Sequence, residues 1–295
     1  MKKLFLFIAM ILPIGVFSQV RIQIGGSPDV KYEVIDTVAV RVFYETNSLR
    51  NPEKPESVEK DYQALEIGAS GVSRYYSDNK RRQDSIMTEY FKNKADLSNI
   101  DLTNVLKDNG LSSSGTSLEV YKNYPAGKIS VTDRIGMSDY LYEDDLNNIQ
   151  WEILPDTKEI LSYTCQKATT HFRGRQFEAW FAPDLPISNG PWKFSGLPGL
   201  ILSVEDAAGH YTFQAIGIEN QQYPILFPKK TYLKASRTEV DKVKRKFEED
   251  PMGSILNSSP AGDIKIVVKD ASGREMSADE IRNRNKNSYN PLELE

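Results

Sequence analysis

The chain has 295 residues, of which 26% are charged and 39% hydrophobic. This composition is ordinary for a globular protein and leaves enough apolar material to bury a core. Lys and Arg number 37 against 41 Asp and Glu, for a formal charge of −4, which excludes a global electrostatic attraction to nucleic acid or anionic lipid. We therefore expect no nucleic-acid partner.

The first residues have the pattern of a secretory signal. Lys2 and Lys3 form a basic start, residues 4–17 are an apolar run too short to span a bilayer, and Ser18 is a small residue before a cleavage point at Gln19. We predict a signal peptide over 1–18 and an exported chain, located in the periplasm, outside the cell or at the outer membrane. No second apolar run reaches membrane length, so we expect no transmembrane segment in the mature chain.

Cys165 is the single cysteine. An exported chain with one cysteine has no intrachain disulfide, so packing must supply its stability.

Short apolar runs separated by turn signals dominate the chain. Strands are predicted at 30–48 and 62–68, a helix follows the N-cap Ser77 to about Lys94, and residues 95–117 are polar and irregular. Further runs at close spacing indicate an antiparallel meander; they cover 118–121, 128–131, 138–142, 151–154, 160–172, 177–182, 200–204 and 211–218.

Two capping boxes predict helices near the end of the chain, Ser236–Glu239 and Ser277–Glu280, with a strand at 264–268 between them. The predicted fold class is therefore α+β, mainly β: a curved antiparallel β-meander, in the form of a half-open barrel, with a few covering helices. No linker or internal repeat divides the mature chain, so we expect a single β-rich domain over 19–295.

The segment 180–202 combines Pro, Gly and large apolar residues. Pro and Gly at this density exclude a helix or a central strand, while its aromatic and aliphatic side chains favour burial. A shaped loop folded onto the domain is expected. Within it, residues 197–200 fit a type II turn with Gly199 in the left-handed region.

The same segment contains the run Gly196, Leu197, Pro198, Gly199, Leu200 and Ile201, which resembles the motif that names the GLPGLI family of exported Bacteroidetes proteins. Similar stretches lie at 65–68, 73–77, 151–154, 163–169, 172–175 and 289–294. The resemblance implies a protein of the Gram-negative cell envelope, often found beside TonB-dependent outer-membrane transport components. It brings no established activity, no catalytic residues and no cofactor, and it gives those six residues a structural role.

Two reactive chemistries compete with ordinary structural roles. His171 and His210, with Cys165 and Asp206, contain ligand types for a metal, but they lack compact ligand spacing, so no metal is predicted. Cys165 as a nucleophile lacks a nucleophile elbow or a helix N-terminus that would lower its pKa. A buried strand thiol is the favoured interpretation.

The charged clusters are also interpreted as solvated surface. Glu143, Asp144, Asp145 and Asp184 could form an acid–base pair, although turns of this kind are commonly acidic. The basic residues around a helix at 237–249 alternate with acidic ones, which is typical of a solvated helix face.

The candidate binding residues are Trp180, Trp192, Phe194, Arg173 and Arg175. Aromatic rings beside a basic turn suit a groove for a peptide or a hydrophobic ligand. In the alternative interpretation, these aromatics fill the core beneath the loop.

Export, the lack of a catalytic constellation and the aromatic loop together predict a non-enzymatic accessory or binding protein of the cell envelope. Its expected partner is an outer-membrane transport or surface protein, and no cofactor is expected. Two alternatives stay open. One is an envelope hydrolase that uses acidic residues or Cys165, and the other is a purely structural interaction protein.

Overall fold

A computed structural model describes residues 30–92, 102–111, 114–251, 253–254, 274–285 and 289–295. The predicted signal peptide at 1–18 and the predicted strand at 264–268 lie outside the described residues, as does part of the polar stretch at 95–117.

Thirteen strands form one sheet within the described residues. They are β1 Lys31–Leu49, β2 Val58–Gly68, β3 Ser73–Ser77, β4 Glu119–Lys122, β5 Lys128–Ile135, β6 Ser138–Asp145, β7 Glu152–Ile160, β8 Tyr163–Phe172, β9 Arg175–Ala182, β10 Leu200–Asp206, β11 Tyr211–Asn220, β12 Pro224–Lys229 and β13 Leu233–Lys234. The order is β13-β6-β5-β4-β3-β2-β1-β11-β10-β9-β8-β7, and β12 pairs with the start of β1. All pairs are antiparallel except β13 with β6.

The sheet is curved and does not close, so the predicted mainly β fold is confirmed. Long β1 lies between two meanders, because β2 pairs with one side of it and β11 with the other. The second meander, β7 to β11, brings the start of β9 and the end of β10 close to the start of β11. Polar residues from these three strands therefore meet at one end of the strands.

The described helices are α1 Asp78–Lys92, α2 Leu102–Asp108, α3 Arg237–Glu249 and α4 Ala278–Asn285. Their predicted caps are present: the Ser77 hydroxyl accepts from the Lys80 amide at 3.0 Å, and Ser236 forms a complete capping box with Glu239. The Ser277 hydroxyl accepts from the Glu280 amide at 3.2 Å. Each hydroxyl satisfies an amide that the first turn of a helix leaves without a partner.

Two hairpin turns shape the second meander. Leu161 and Ser162 have φ values of 52° and 65°, and Arg173 and Gly174 have values of 50° and 77°. Two successive positive φ values match the turns that suit the right-handed twist of paired strands. The prediction of one strand over 160–172 is thus wrong at its start, because the chain reverses at 161–162.

The loop at 183–199 packs into the core. Phe194 is fully buried, and its ring meets those of Phe177, Trp192 and Phe213 with centroids 5.0, 5.1 and 6.0 Å away. The angles between the rings are 65–77°, which is the favourable edge-to-face arrangement. The Lys122 ammonium of β4 anchors the loop by donating to the carbonyls of Gly190 at 2.5 Å and Phe194 at 3.1 Å.

Gly199 differs from its predicted conformation. Its φ is not positive, so the predicted type II turn is wrong, whereas Gly196 has a φ of 96°. The structure requires glycine at 199 for a different reason, since a Cβ there would lie 2.3 Å from the Ala182 carbonyl oxygen.

Candidate functional site

A polar site forms where β9 begins, β10 ends and β11 begins. The β8–β9 turn places Arg175 at the first position of β9, and Asp206 is the last residue of β10. The tight turn after Asp206 is closed by the Gly209 amide, which donates to the Asp206 carbonyl at 2.8 Å. Since Gly209 has a φ of 67°, the chain reverses there and brings His210 back toward Arg175.

Asp206 fixes the guanidinium of Arg175 by a buried ion pair. Its guanidinium donates to Asp206 Oδ2 at 2.7 Å, and the side chains of this ion pair are 5% and 2% exposed. The other Asp206 oxygen accepts from the Tyr211 amide at 2.7 Å. A carboxylate with both oxygens hydrogen-bonded compensates a buried charge, and the Nε and Nη2 donors of Arg175 contact the segment 289–295.

Those donors hold the side-chain carboxamide of Asn290. Arg175 donates to Asn290 Oδ1 at 2.7 Å, and Asn290 Nδ2 donates to the Leu49 carbonyl at 2.7 Å. The amide orientation is unambiguous, because a flipped amide would place its NH₂ against the guanidinium and its oxygen against a carbonyl. Arg175 also donates to the Pro291 carbonyl at 2.7 Å.

His210 completes this arrangement. Its Nδ1 lies 3.3 Å from Asn290 Nδ2 and 3.4 Å from an Arg175 nitrogen. Both neighbours are N–H donors, so Nδ1 faces them as the acceptor. We call Arg175, Asp206, His210 and the Leu49 carbonyl the amide clamp.

Tyr211 fixes the backbone of the clamped residue. Its hydroxyl donates to the Asn290 carbonyl, and the Arg175 guanidinium lies 5.1 Å from its ring centroid. Burial raises the pKa of Tyr211 above its ordinary value, so this hydroxyl remains a donor throughout the neutral range. The clamp therefore contacts the carboxamide oxygen, the carboxamide nitrogen and the main chain of one asparagine.

A second charged cluster holds Glu293. The Lys193 ammonium, whose side chain is 0% exposed, lies 2.9 Å from both Glu293 oxygens and 2.6 Å from Asp144 Oδ2. Arg173 donates to Asp144 at 3.2 Å and lies 3.6 Å from Glu293. Buried ions of this kind need partners of opposite charge, so the sheet and the segment 289–295 complete one another's charges.

The structure divides the predicted binding residues into two groups. Trp192 and Phe194 are in the core, with 5% and 0% exposure. Trp180 belongs to the same core cluster with 9% exposure, and the Lys158 ammonium also lies 4.3 Å from its ring centroid. Arg173 and Arg175 contact the segment 289–295. Binding by these five residues stays a prediction, and the geometry gives the clearest ligand-like contacts to Arg175.

The other predicted chemistries are not assembled. Cys165 is buried, which raises the pKa of its thiol to about 11, and His171 is exposed. Within the described residues, no three His, Cys, Asp or Glu side chains form a group that could hold a metal. Asp184 is exposed in the loop, whereas Asp144 is the acidic residue that the fold buries against Lys193.

Sequence reasoning missed the partner of the clamp, because Asn290 lies 115 residues after Arg175. The sequence signal for this partner is the stretch 289–294, which also carries part of the family resemblance. This stretch contains in succession an amide, a proline that restricts the backbone, an apolar residue and an acid. Such a sequence suits binding in an extended conformation, with each side chain making its own contact.

A family model described as the N-glycanase peptide, N-terminal domain, matches residues 122–246, less than half of the chain. The match replaces the predicted GLPGLI membership, since the segment 151–202 that carried that resemblance lies inside it. The matched segment includes three residues of the amide clamp, Arg175, Asp206 and His210.

Two solved structures of PNGF-II, in different crystal forms, are similar to the chain with TM-scores of 0.48 and 0.46. Sequence identities are 14% and 12%, and each covers 70% of the chain. The chain spans about a third of those structures, 32% and 33% of their length. No curated protein matches the chain.

The family match overturns the predicted non-enzymatic accessory role, because the matched domain is that of an N-glycanase. The family match agrees with the predicted export of the chain, and the exact location stays a prediction. No helix in the described part of the chain is long and apolar enough to cross a membrane.

Proposed function

We propose that this chain acts in the processing of N-linked glycans, as an exported domain of the N-glycanase type that works on the asparagine side chain of glycopeptides. The family match over 122–246 supports the reaction class. The observation that carries the proposal is the clamped carboxamide of Asn290, because an N-glycan is attached to the same group. The periplasm or the cell exterior is the proposed location.

The clamp has two of the groups that hydrolysis of such an amide by water uses. A guanidinium donor at 2.7 Å from the carboxamide oxygen would stabilise the negative charge that develops there in a tetrahedral transition state. Asp206 fixes that donor in advance, so little reorganisation is needed during reaction.

His210 supplies the second group. Its Nδ1 lies 3.3 Å from the carboxamide nitrogen, so an imidazole that takes a proton from the attacking water would pass it to the leaving amine at the position where the sugar is attached. One hydrogen of Asn290 Nδ2 is used by the Leu49 carbonyl. The other position of that nitrogen faces His210 Nδ1, so in a glycopeptide the sugar would replace the hydrogen that is directed at His210.

The test is release of an oligomannose glycan from an N-glycopeptide, followed by mass spectrometry. We expect the full chain with Asn290→Ala to release glycan faster than the wild type, because its own carboxamide no longer fills the clamp. Adding His210→Ala should abolish release, while Lys158→Met, remote from the clamp, should leave it unchanged. Absence of release from both wild type and Asn290→Ala, with melting curves that show folded protein, would refute the proposal.

A further inference from the structure

The segment 289–295 lies on the sheet as an extended peptide without regular secondary structure. Its contacts to the sheet recur along its length: Asn290 in the clamp, the Pro291 carbonyl on Arg175, and the Leu294 amide, which donates to the Arg173 carbonyl at 2.9 Å. Leu292 packs against the main core. This succession of main-chain and side-chain contacts is the way that proteins bind extended peptides.

The most highly charged contacts of the segment are made by Glu293, three residues after Asn290. Three cations surround the Glu293 carboxylate: Lys193 at 2.9 Å, Arg173 at 3.6 Å and Arg237 at 3.9 Å. Asp144 is the other acid that contacts this group. Without a carboxylate at the position of Glu293, Lys193 would keep one acidic partner while fully buried, and Asp144 would be the one acid left in this group of three cations.

One buried donor of this cluster is unsatisfied. Arg173 Nε makes no hydrogen bond within the described residues, although it is shielded from water. A buried donor without an acceptor costs free energy, and a carboxylate placed slightly closer than that of Glu293 would satisfy it. The cluster therefore favours an acid at this position and is not fully optimised for the segment that now fills it.

Close approach of the two main chains limits what can bind. Gly174 has a φ of 77°, and a Cβ at this position would lie 2.9 Å from Leu294 Cβ. Because Gly174 has no side chain, an extended chain can lie against the β8–β9 turn. Three residues of extended chain span roughly 10 Å, so a bound peptide presents one residue to the clamp and its third successor to the cations.

We propose that this surface is a peptide-binding site that selects an extended peptide with an asparagine followed, three residues later, by Asp or Glu, and that the segment 289–295 occupies it in cis. Resting on the proposed function, this inference names the peptide class that the same site accepts. Lys193 is the specificity-determining residue, and the segment 289–295 must leave before a peptide from another molecule enters.

The experiment uses the full chain with Asn290→Ala and Glu293→Gln, which weaken the cis contacts without altering the sheet. A fluorescently labelled octapeptide with the sequence of residues 288–295 is titrated by anisotropy, beside a matched peptide with Gln in place of the first Glu. We expect saturable binding of the first peptide and at least about tenfold weaker binding of the second, since hydrogen bonds between charged groups are the stronger kind. The wild-type chain, with its site filled, should bind both weakly.

Equal affinity for the two peptides, or no binding to a double variant that melts as a folded protein, would overturn the inference. If the double variant unfolds, the single variant Glu293→Gln is used. Unfolding of that variant as well would identify the segment as a fixed part of the fold and would equally overturn the inference. Acid-dependent peptide binding without glycan release would support this inference and refute the proposed function. Glycan release without a preference for the acid would support the proposed function and refute this inference.

Discussion

Replacement of Lys193 by Met tests how the sheet and the segment 289–295 are joined. The substitution keeps most of the side-chain volume and removes a fully buried ammonium that lies 2.6 Å from Asp144 and 2.9 Å from Glu293. The two carboxylates, whose side chains are 9% and 11% exposed, would then share Arg173 as their nearest cation. Removing one partner from a buried ion pair costs about 3–5 kcal/mol, so we expect the free energy of unfolding to fall by that amount.

A matched control is the exposed ion pair formed by Asp145, the residue that follows Asp144. Lys128 pairs with Asp145 at 2.7 Å, but the two side chains are 47% and 76% exposed. An exposed pair contributes about 0–1 kcal/mol, so Lys128→Met should have little effect. Urea unfolding followed by far-UV circular dichroism gives both values, with the m-value as the check that unfolding remains two-state.

The result that would refute this reasoning is a loss for Lys193→Met no larger than that for Lys128→Met. A double variant sharpens the test, because Lys193→Met combined with Asp144→Asn leaves one carboxylate in the cluster, that of Glu293, with Arg173 at 3.6 Å and Arg237 at 3.9 Å as its cations. We expect the double variant to be more stable than Lys193→Met alone.

Three further predictions follow from buried groups. Gly199→Ala should lower the free energy of unfolding by about 1–3 kcal/mol through overpacking against the Ala182 carbonyl, whereas Gly217→Ala, with its nearest neighbour at 3.8 Å, should not; equal melting temperatures for the two variants would contradict this. Burial lowers the pKa of Lys122 well below its ordinary value, so the unfolded chain binds more protons as the pH approaches that ordinary value, about 10.4, from below, and stability should rise with pH there by up to about 1.4 kcal/mol per pH unit. Chemical unfolding across that range should show the slope in the wild type and lose it in Lys122→Met; a flat wild-type profile would argue against a perturbed ammonium. Burial also raises the pKa of Cys165 to about 11, so alkylation by iodoacetamide at pH 8 should be slow until urea unfolds the chain, and rapid labelling of the folded protein would show that the thiol is accessible.

Much of the local structure follows from the sequence because its causes are local. The caps at Ser77, Ser236 and Ser277 are short-range patterns of hydroxyl and carboxylate groups, and each is found where it was predicted. Alternating apolar residues and turn signals likewise identify most strands of the meander. The reversal at 161–162 was missed, because Leu161 and Ser162 adopt positive φ values that their residue types do not announce.

The functional site was harder to predict, because it depends on residues that are distant in the sequence. Arg175 was among the candidates as part of a basic turn, and His210 and Asp206 were considered only as metal ligands. Their arrangement around a carboxamide depends on Asn290, which follows Arg175 by 115 residues. A pattern in one sequence does not report such a pairing.

The sequence by itself determined the mainly β class, the helix starts and the need to bury the aromatic Pro/Gly loop, since propensity, periodicity and capping act within a few residues. Only the tertiary structure decided that Phe194 fills the core and that Gly199 is required by the nearby Ala182 carbonyl. It also decided that Lys193 and Arg175 each join a carboxylate of the sheet to residues of the segment 289–295. The physical reason is that burial of a charge and the close approach of two main chains depend on which strands become neighbours, and that is settled by packing of the whole sheet.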